Sequence, residues 1–178
     1  MLIKKLIKYL LLFCCSINTL YANSHTINLN YQIDGKDFSS YLVKPNKDAK
    51  GIIFIIHDWN GLDNYEKSRA EMLSEEGYLS VALDLFGIDA KLDGFEDYRR
   101  ETSFLYKNRK EFRKRIKSGI IESRKILGNL KNQFIIGYCF GGAAVLETAR
   151  SGEEMTGFVS FHGGLKTPEG QDYSETSG

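Results

Sequence analysis

Three short apolar runs place the strongest limit on how this chain can fold. They are residues 51–56 (GIIFII), 78–83 (YLSVAL) and 133–136 (QFII). Continuous β-branched and aromatic runs are typical of strands that are buried on both faces, as in a parallel sheet covered by helices. Segments with helical character separate or follow them, at residues 64–76, 95–127 and 141–150. This alternation predicts an α/β fold with a doubly wound, mostly parallel sheet.

Finer features complete this expectation. Residues 26–33 and 38–43, joined by an Asp-Gly turn, predict an N-terminal hairpin, and residues 156–161 predict a last strand. The tract 95–127 is expected to break near Lys107 or Gly119. Two helix faces are predicted to point inward: Tyr65, Ala70, Met72 and Leu73 on the first helix, and Phe112, Ile116, Ile120 and Leu127 on the later one.

The first 22 residues have the character of a secretory signal peptide. Lys4, Lys5 and Lys8 form a positive start, residues 9–15 form a short apolar core, and Ala22 is small enough for cleavage. The alternative is a retained membrane anchor, although the apolar stretch is short for a span of about 20 residues. We therefore expect an exported protein, periplasmic or secreted, whose residues 23–178 form one domain.

Removal of the leader changes the charge and the cysteine count. The leader holds three of the 24 basic residues and none of the 23 acidic ones, so the remainder has a net charge of −2. This balance argues against nucleic acid as a partner, and we expect no membrane association after cleavage. Cys139 is then the only cysteine, and it forms no ligand pattern with the three histidines. The sequence predicts no metal or cofactor and leaves the oligomeric state open.

A short glycine-flanked segment carries the chemistry. Residues 137–141 (GYCFG) follow a predicted strand and open a helix, with the spacing of a nucleophile elbow in which Cys139 replaces serine. Gly137 and Gly141 meet the need for small residues where strand and helix approach closely. The helix start points N–H groups and a positive dipole end at the thiol, and the Phe140 N–H is the expected oxyanion donor. The alternative is a buried structural cysteine.

Four segments together resemble the dienelactone hydrolase family: residues 57–62 (HDWNGL), 82–87 (ALDLFG), 136–142 (IGYCFGG) and 158–165 (FVSFHGGL). The resemblance covers roughly residues 51–165. It implies an α/β-hydrolase fold, and hydrolysis of a small-molecule ester or lactone by a Cys-His-Asp triad through an acyl-enzyme. It also implies that Asp58 holds the resting Cys139 thiol and that Trp59 supplies the second oxyanion N–H.

The chain departs from this family pattern in two respects. Ile88 stands where the family places an arginine for the substrate carboxylate. The triad acid and histidine should follow in two further strands, which the chain lacks; Asp172 comes too early. We therefore keep two other interpretations, an inactive truncated relative or binding protein, and a redox-reactive thiol protein. For His57 the alternatives are a catalytic role and, as the favoured one, shaping the oxyanion loop. His162 is assigned a structural or pocket-lining role.

Three further expectations concern positions outside the elbow. Asp84 ends a strand and is predicted to anchor the following loop. The strand at 156–161 is expected to form an exposed sheet edge. A solvated helix face is predicted for Arg109, Lys110, Arg113, Lys114, Arg115 and Lys117.

Overall fold

The computed structural model describes residues 25–166 together with residues 174 and 176. The predicted signal peptide and Asp172 lie outside the described residues. Six strands are present in this part of the chain: β1 (His25–Ile33), β2 (Lys36–Lys44), β3 (Ile52–Ile56), β4 (Leu79–Leu83), β5 (Gln133–Tyr138) and β6 (Gly157–Phe161). They form one sheet in the order β1-β2-β4-β3-β5-β6.

The sheet is mixed, as predicted. β1 and β2 form the expected antiparallel hairpin, and β2 joins β4 antiparallel. The other four strands run parallel, with β3 between β4 and β5 and with β6 outside β5. All five residues of β3 and of β4 are buried, because helices cover both faces of the central sheet.

Four helices pack against this sheet: α1 (Asn64–Glu75), α2 (Phe95–Lys107), α3 (Arg109–Leu127) and α4 (Phe140–Arg150). Alternate residues of β3 serve two separate cores. Phe54 and Ile56 pack with Phe112 of α3 and Phe140 of α4, whereas Ile55 packs on the opposite face, in the cluster that holds Ala70 of α1. The winding on both faces confirms the predicted fold class.

The predicted inner face of α1 is partly wrong. Tyr65 and Met72 are 44% and 52% exposed, whereas the buried residues are Glu66, Ala70 and Ser74. These buried residues recur every four positions and so lie on one side of the helix. Ala70 and Leu73 do pack on the core of this face of the sheet, as expected, whereas Glu66 is buried against the loop before α1.

The predicted break of the long helical tract falls at Asn108, which separates α2 from α3. The alternative position, Gly119, lies buried inside α3. A Cβ there would be 3.0 Å from a methyl carbon of Leu83 and from the Tyr31 hydroxyl, so this glycine permits the helix to approach the sheet. Phe112, Ile116 and Ile120 are buried and Leu127 packs partly against the core, as expected.

The predicted solvated face of α3 is wrong for its arginines. Arg115 is buried, donates from Nη1 to the Leu85 carbonyl at 2.8 Å and pairs with Glu111. Arg109 and Arg113 both form ion pairs with Glu147, a fully buried carboxylate of α4. The long arginine side chains therefore tie the helices together. The lysines of the set, Lys110, Lys114 and Lys117, are exposed as predicted.

Two observations concern the surface. β6 pairs only with β5 within the described residues, and its Val159 and Phe161 side chains are 42% and 43% exposed, in agreement with the expected edge strand.

Among the described helices, none combines the length and the apolar character that crossing a bilayer requires.

Candidate functional site

Cys139 occupies a sharp turn between β5 and α4. Its backbone has φ 51° and ψ −109°, and its N–H donates to the Phe161 carbonyl at 3.0 Å. A non-glycine residue in this conformation is strained, and such strain persists only where the surroundings impose it. The turn lies at the carboxyl end of a central strand, where ligands bind in doubly wound sheets.

The flanking glycines are required by contact distances. A Cβ on Gly137 would lie 2.2 Å from the Gly141 carbonyl oxygen, and one on Gly141 would lie 2.3 Å from the Ile56 carbonyl oxygen. Gly142 is equally confined, since its Cβ would be 2.8 Å from Gly163. Strand, turn and helix are thus packed backbone against backbone, and this contact holds Cys139 in its strained conformation.

Burial raises the pKa of the Cys139 thiol above its usual value, and the Asp58 carboxylate raises it further through its charge and as a hydrogen-bond acceptor of the thiol, whereas the Phe140 N–H lowers it. The resting group is therefore a protonated thiol at neutral pH. Asp58 is placed to hold its proton.

The two expected oxyanion donors both lie beside this pair. The Phe140 N–H contacts the sulfur. The Trp59 N–H donates to Asp58 Oδ1 at 2.5 Å. The Asp58 carboxylate thus engages both the thiol and one oxyanion donor, and a carbonyl oxygen that binds Trp59 N–H must displace it.

The loop at 58–63 is held by a buried carboxylate that the sequence analysis did not single out. Glu66 is 1% exposed, and its two oxygens accept the N–H groups of Asp58 at 3.3 Å and Asp63 at 3.2 Å. Burial is the main cause that raises the pKa of Glu66. Asp63 and Glu66 form a capping box at the start of α1, and the Asp-x-x-Glu spacing is the signal that would have revealed it.

The two candidate pocket histidines have different surroundings. His57 is fully buried under Phe86 and Phe140; its Nδ1 donates to the Asp58 carbonyl at 2.6 Å and its Nε2 accepts the Leu85 N–H at 3.2 Å. Burial lowers the pKa of His57, so the ring is neutral. Its hydrogen bond to the Asp58 carbonyl supports the loop. His162 follows β6, is exposed and has φ 44°.

Asp84 anchors the loop after β4, as predicted. Its Oδ1 accepts the N–H groups of Phe86 and Gly87 at 2.9 Å, and its Oδ2 accepts the Ser39 N–H at 3.1 Å. The loop then presents Ile88 to solvent with 58% of its surface exposed. No cationic side chain therefore occupies position 88, where the family places its arginine.

Two cavities differ in their relation to the thiol. A groove of about 780 Å³ includes Gln133 and Thr156 and so lies at the amino ends of the strands, away from Cys139. A cavity of about 190 Å³ lies beside the first turn of α4 and is lined by Tyr106, Arg109, Ala143, Arg150, Gly164 and Lys166. Within the described residues, no group of three or more acidic, histidine or cysteine side chains is arranged to hold a metal ion.

A doubly wound sheet with a strained, glycine-flanked turn between a strand and the following helix is typical of the α/β-hydrolase class. Residues 38–177 match the Dienelactone hydrolase family, and the chain belongs to that family. No curated protein matches the sequence of this chain.

Solved structures agree with this assignment. The structure named m3DLH is 25% identical with a TM-score of 0.73, over 82% of this chain and 63% of its own. A dienelactone hydrolase-like promiscuous phosphotriesterase from metagenomic libraries is 25% identical with a TM-score of 0.73, over 80% of this chain and 60% of its own. TT1662 from Thermus thermophilus, at 19% identity and a TM-score of 0.62, over 84% of this chain and 62% of its own, shares the fold. The chain thus spans less than two thirds of these relatives.

Proposed function

We propose that this chain carries the nucleophile site of a hydrolase that acts on carboxylic esters or lactones. The observation that carries the proposal is the position of Cys139, strained at the turn after β5 and held there by the backbone contacts of Gly137 and Gly141. Family membership supports hydrolase chemistry, and the thiol is the strongest nucleophile at the turn.

The reaction would begin when a substrate carbonyl enters between Trp59 and Phe140. The Asp58 carboxylate releases the Trp59 N–H and takes the thiol proton, and Sγ attacks the carbonyl carbon. The two backbone N–H groups then stabilise the oxyanion. Collapse of this intermediate breaks the carbon–oxygen bond and leaves a thioester on Cys139, while the leaving oxygen takes the proton back from Asp58 and departs as the alcohol. Water hydrolyses the thioester and restores the thiol.

The test is acylation by p-nitrophenyl acetate. We expect a stoichiometric burst of p-nitrophenol and one acetyl group on Cys139, detected by intact mass and peptide mapping. Cys139→Ala is the matched control, because it removes only the sulfur, and it should show neither the burst nor the adduct. Equal p-nitrophenol release by Cys139→Ala, or acetylation at other sites only, would contradict the proposal.

A second candidate is a binding protein of the same fold without turnover. The observation that favours it is that, among the described residues, the groups that shift the pKa of the thiol are Asp58 and the Phe140 N–H, and no histidine is among them. A saturable interaction with an ester, together with no acylation of Cys139 over hours at alkaline pH, would favour this candidate over the hydrolase.

We also propose that the protein is exported, on the support of Lys4, Lys5, Lys8 and the apolar run before Ala22. Residues 1–22 fused to a reporter that is active only outside the cytoplasm should give activity, and cleavage should follow Ala22. A fusion in which Lys4, Lys5 and Lys8 are replaced by glutamate should be exported less well. An inactive wild-type fusion would contradict the proposal.

A further inference from the structure

A cluster of three aromatic rings adjoins the loop that carries Asp58. Trp59 contacts Phe95 and Tyr98 edge to face, with ring centroids 5.4 Å and 5.3 Å apart. We call these three residues the aromatic wall. Trp59 follows Asp58 directly, and its N–H is hydrogen-bonded to the carboxylate that holds the Cys139 thiol. The wall therefore begins one residue from the reacting groups.

The loops that carry Trp59 and Leu92 are tightly packed against each other and the core. Trp59 and Leu92 both pack against the main hydrophobic core. A Cβ on Gly61 would lie 2.6 Å from Leu92 Cδ1, so the loop after β3 and the loop after β4 are in close contact. Such packing holds the rings in place before any ligand arrives, and preorganisation of this kind favours binding.

Phe95 exposes its ring at the edge of the wall, and one cation of the same helix is paired. Phe95 is 60% exposed, although it is a large apolar ring at the start of α2. On the same helix, Arg100 forms ion pairs with Asp97 and Glu101. Exposed apolar surface beside a reactive group is typical of a ligand-binding wall, and aromatic rings accept flat apolar groups edge to face.

We propose that the aromatic wall selects uncharged esters or lactones that carry an aromatic ring or another flat apolar group beside the reacting carbonyl. This inference rests on the proposed function. The ring of the substrate packs on Phe95 and Trp59 while its carbonyl faces the Trp59 and Phe140 N–H groups. Ile88, on the loop that leads to Phe95, is uncharged and leaves a substrate carboxylate without a counter-charge at that position.

The test measures binding through the intrinsic fluorescence of Trp59, the single tryptophan of the protein. Three amides that are not hydrolysed serve as probes: acetanilide is uncharged with a ring, N-methylacetamide is uncharged without one, and oxanilate carries both a ring and a carboxylate. We expect a saturable change with acetanilide at concentrations at least about tenfold lower than with the other two.

Variants locate the effect. Phe95→Ala should weaken acetanilide binding about tenfold, and Phe95→Leu should weaken it as well, because it keeps the apolar volume and removes the ring. Phe104→Ala is the matched control: Phe104 is a 43% exposed ring on the same helix that lies against Arg115. It should bind acetanilide as the wild type does. Ile88→Arg should shift the preference toward oxanilate. Circular dichroism verifies the fold of each variant.

Equal binding of all three probes would overturn the inference, as would equal loss in Phe95→Ala and Phe104→Ala. Preferential binding of oxanilate by the wild type would also overturn it, and would assign the substrate carboxylate to the cavity lined by Arg109, Arg150 and Lys166. Because the titration involves no reaction of Cys139, a failure of acylation tests the proposed function alone, and a failure of acetanilide selectivity tests the wall alone.

Discussion

The elbow from Gly137 to Gly141, which carries the thiol, is held by close backbone contacts that its glycines permit. The loop from Asp58 to Asp63, by contrast, is held by hydrogen bonds from buried polar side chains. Elbow contacts are between backbone atoms, at distances that leave no room for a Cβ. Loop contacts come from the Glu66 carboxylate and from the His57 ring.

This difference separates rigidity from adaptability within one site. Backbone packing leaves the nucleophile a single position, because any displacement brings atoms into overlap. Hydrogen bonds to a carboxylate can be exchanged. In the proposed reaction, a substrate carbonyl oxygen replaces the Asp58 carboxylate at the Trp59 N–H. Changes at the elbow should therefore abolish the fold locally, whereas changes in the loop should alter stability, pH dependence and thiol reactivity in graded steps.

The largest effect is expected from Gly141→Ala. The new Cβ would lie 2.3 Å from the Ile56 carbonyl oxygen and 2.6 Å from that of His57. We expect a loss of more than about 4 kcal/mol in the free energy of unfolding, measured in urea, or no folding. Gly164→Ala is the control, because nothing lies within 4 Å of its Cβ; it should change stability by less than about 0.5 kcal/mol. A stable Gly141→Ala variant would show that the elbow is not held by backbone packing.

Glu66→Leu tests the loop at its buried carboxylate. The substitution leaves the N–H groups of Asp58 and Asp63 without their acceptors, and we expect a destabilisation of about 1–3 kcal/mol. Glu75→Leu replaces an exposed glutamate on the same helix and should change the free energy of unfolding much less. Similar values for the two variants would mean that Glu66 does not support the loop.

His57 links the loop to pH. Burial lowers the pKa of His57 below its ordinary value of 6.5, so the unfolded chain binds a proton before the folded one does. Stability should therefore fall as the pH drops below 6.5, with a contribution of at most about 1.4 kcal/mol per pH unit from this group. His57→Gln should show a shallower fall between pH 7 and 5 in urea unfolding. His162→Gln, which removes an exposed ring, should keep the wild-type slope; a parallel slope in His57→Gln would contradict the assignment.

The smallest change in stability, but a clear one in reactivity, is expected from Asp58→Asn. Removal of the carboxylate charge and hydrogen bond should lower the pKa of the Cys139 thiol, since both raise it. More thiolate is then present near neutral pH, and alkylation by iodoacetamide should become several-fold faster. Asp89→Asn removes an exposed acid from the loop after β4 and should leave the rate unchanged. A slower rate in Asp58→Asn would show that Asp58 activates the resting thiol rather than restraining it.

The comparison of elbow and loop also explains what could be predicted. The sequence identifies Gly137, Cys139 and Gly141 because the turn needs glycine two residues before and two residues after the residue at its centre, and this spacing is visible in a five-residue segment. The central strands were identified because burial on both faces requires continuous apolar runs. The family resemblance pointed to Asp58, but whether its short side chain reached the thiol depended on the approach of β3 and β5.

Other assignments failed for lack of local information. Tyr65 and Met72 have the apolar character of inner residues, yet the sheet selects the face that carries Ala70. Arg115 belongs to a basic run, yet it is buried because the Leu85 carbonyl, 30 residues away in sequence, accepts its hydrogen bond. Neither partner could be known before the helices were placed.

The sequence by itself determined the doubly wound sheet and the glycine-flanked elbow around Cys139, because periodicity, glycine spacing and apolar runs act over a few residues. Only the tertiary structure decided that Asp58 engages both the thiol and the Trp59 N–H, that His57 is a neutral support, and that Phe95 joins Trp59 in an exposed aromatic wall. Most of these features join residues that lie tens of positions apart, such as Trp59 and Phe95. Their hydrogen bonds and ring contacts exist only when packing brings distant segments within a few ångströms.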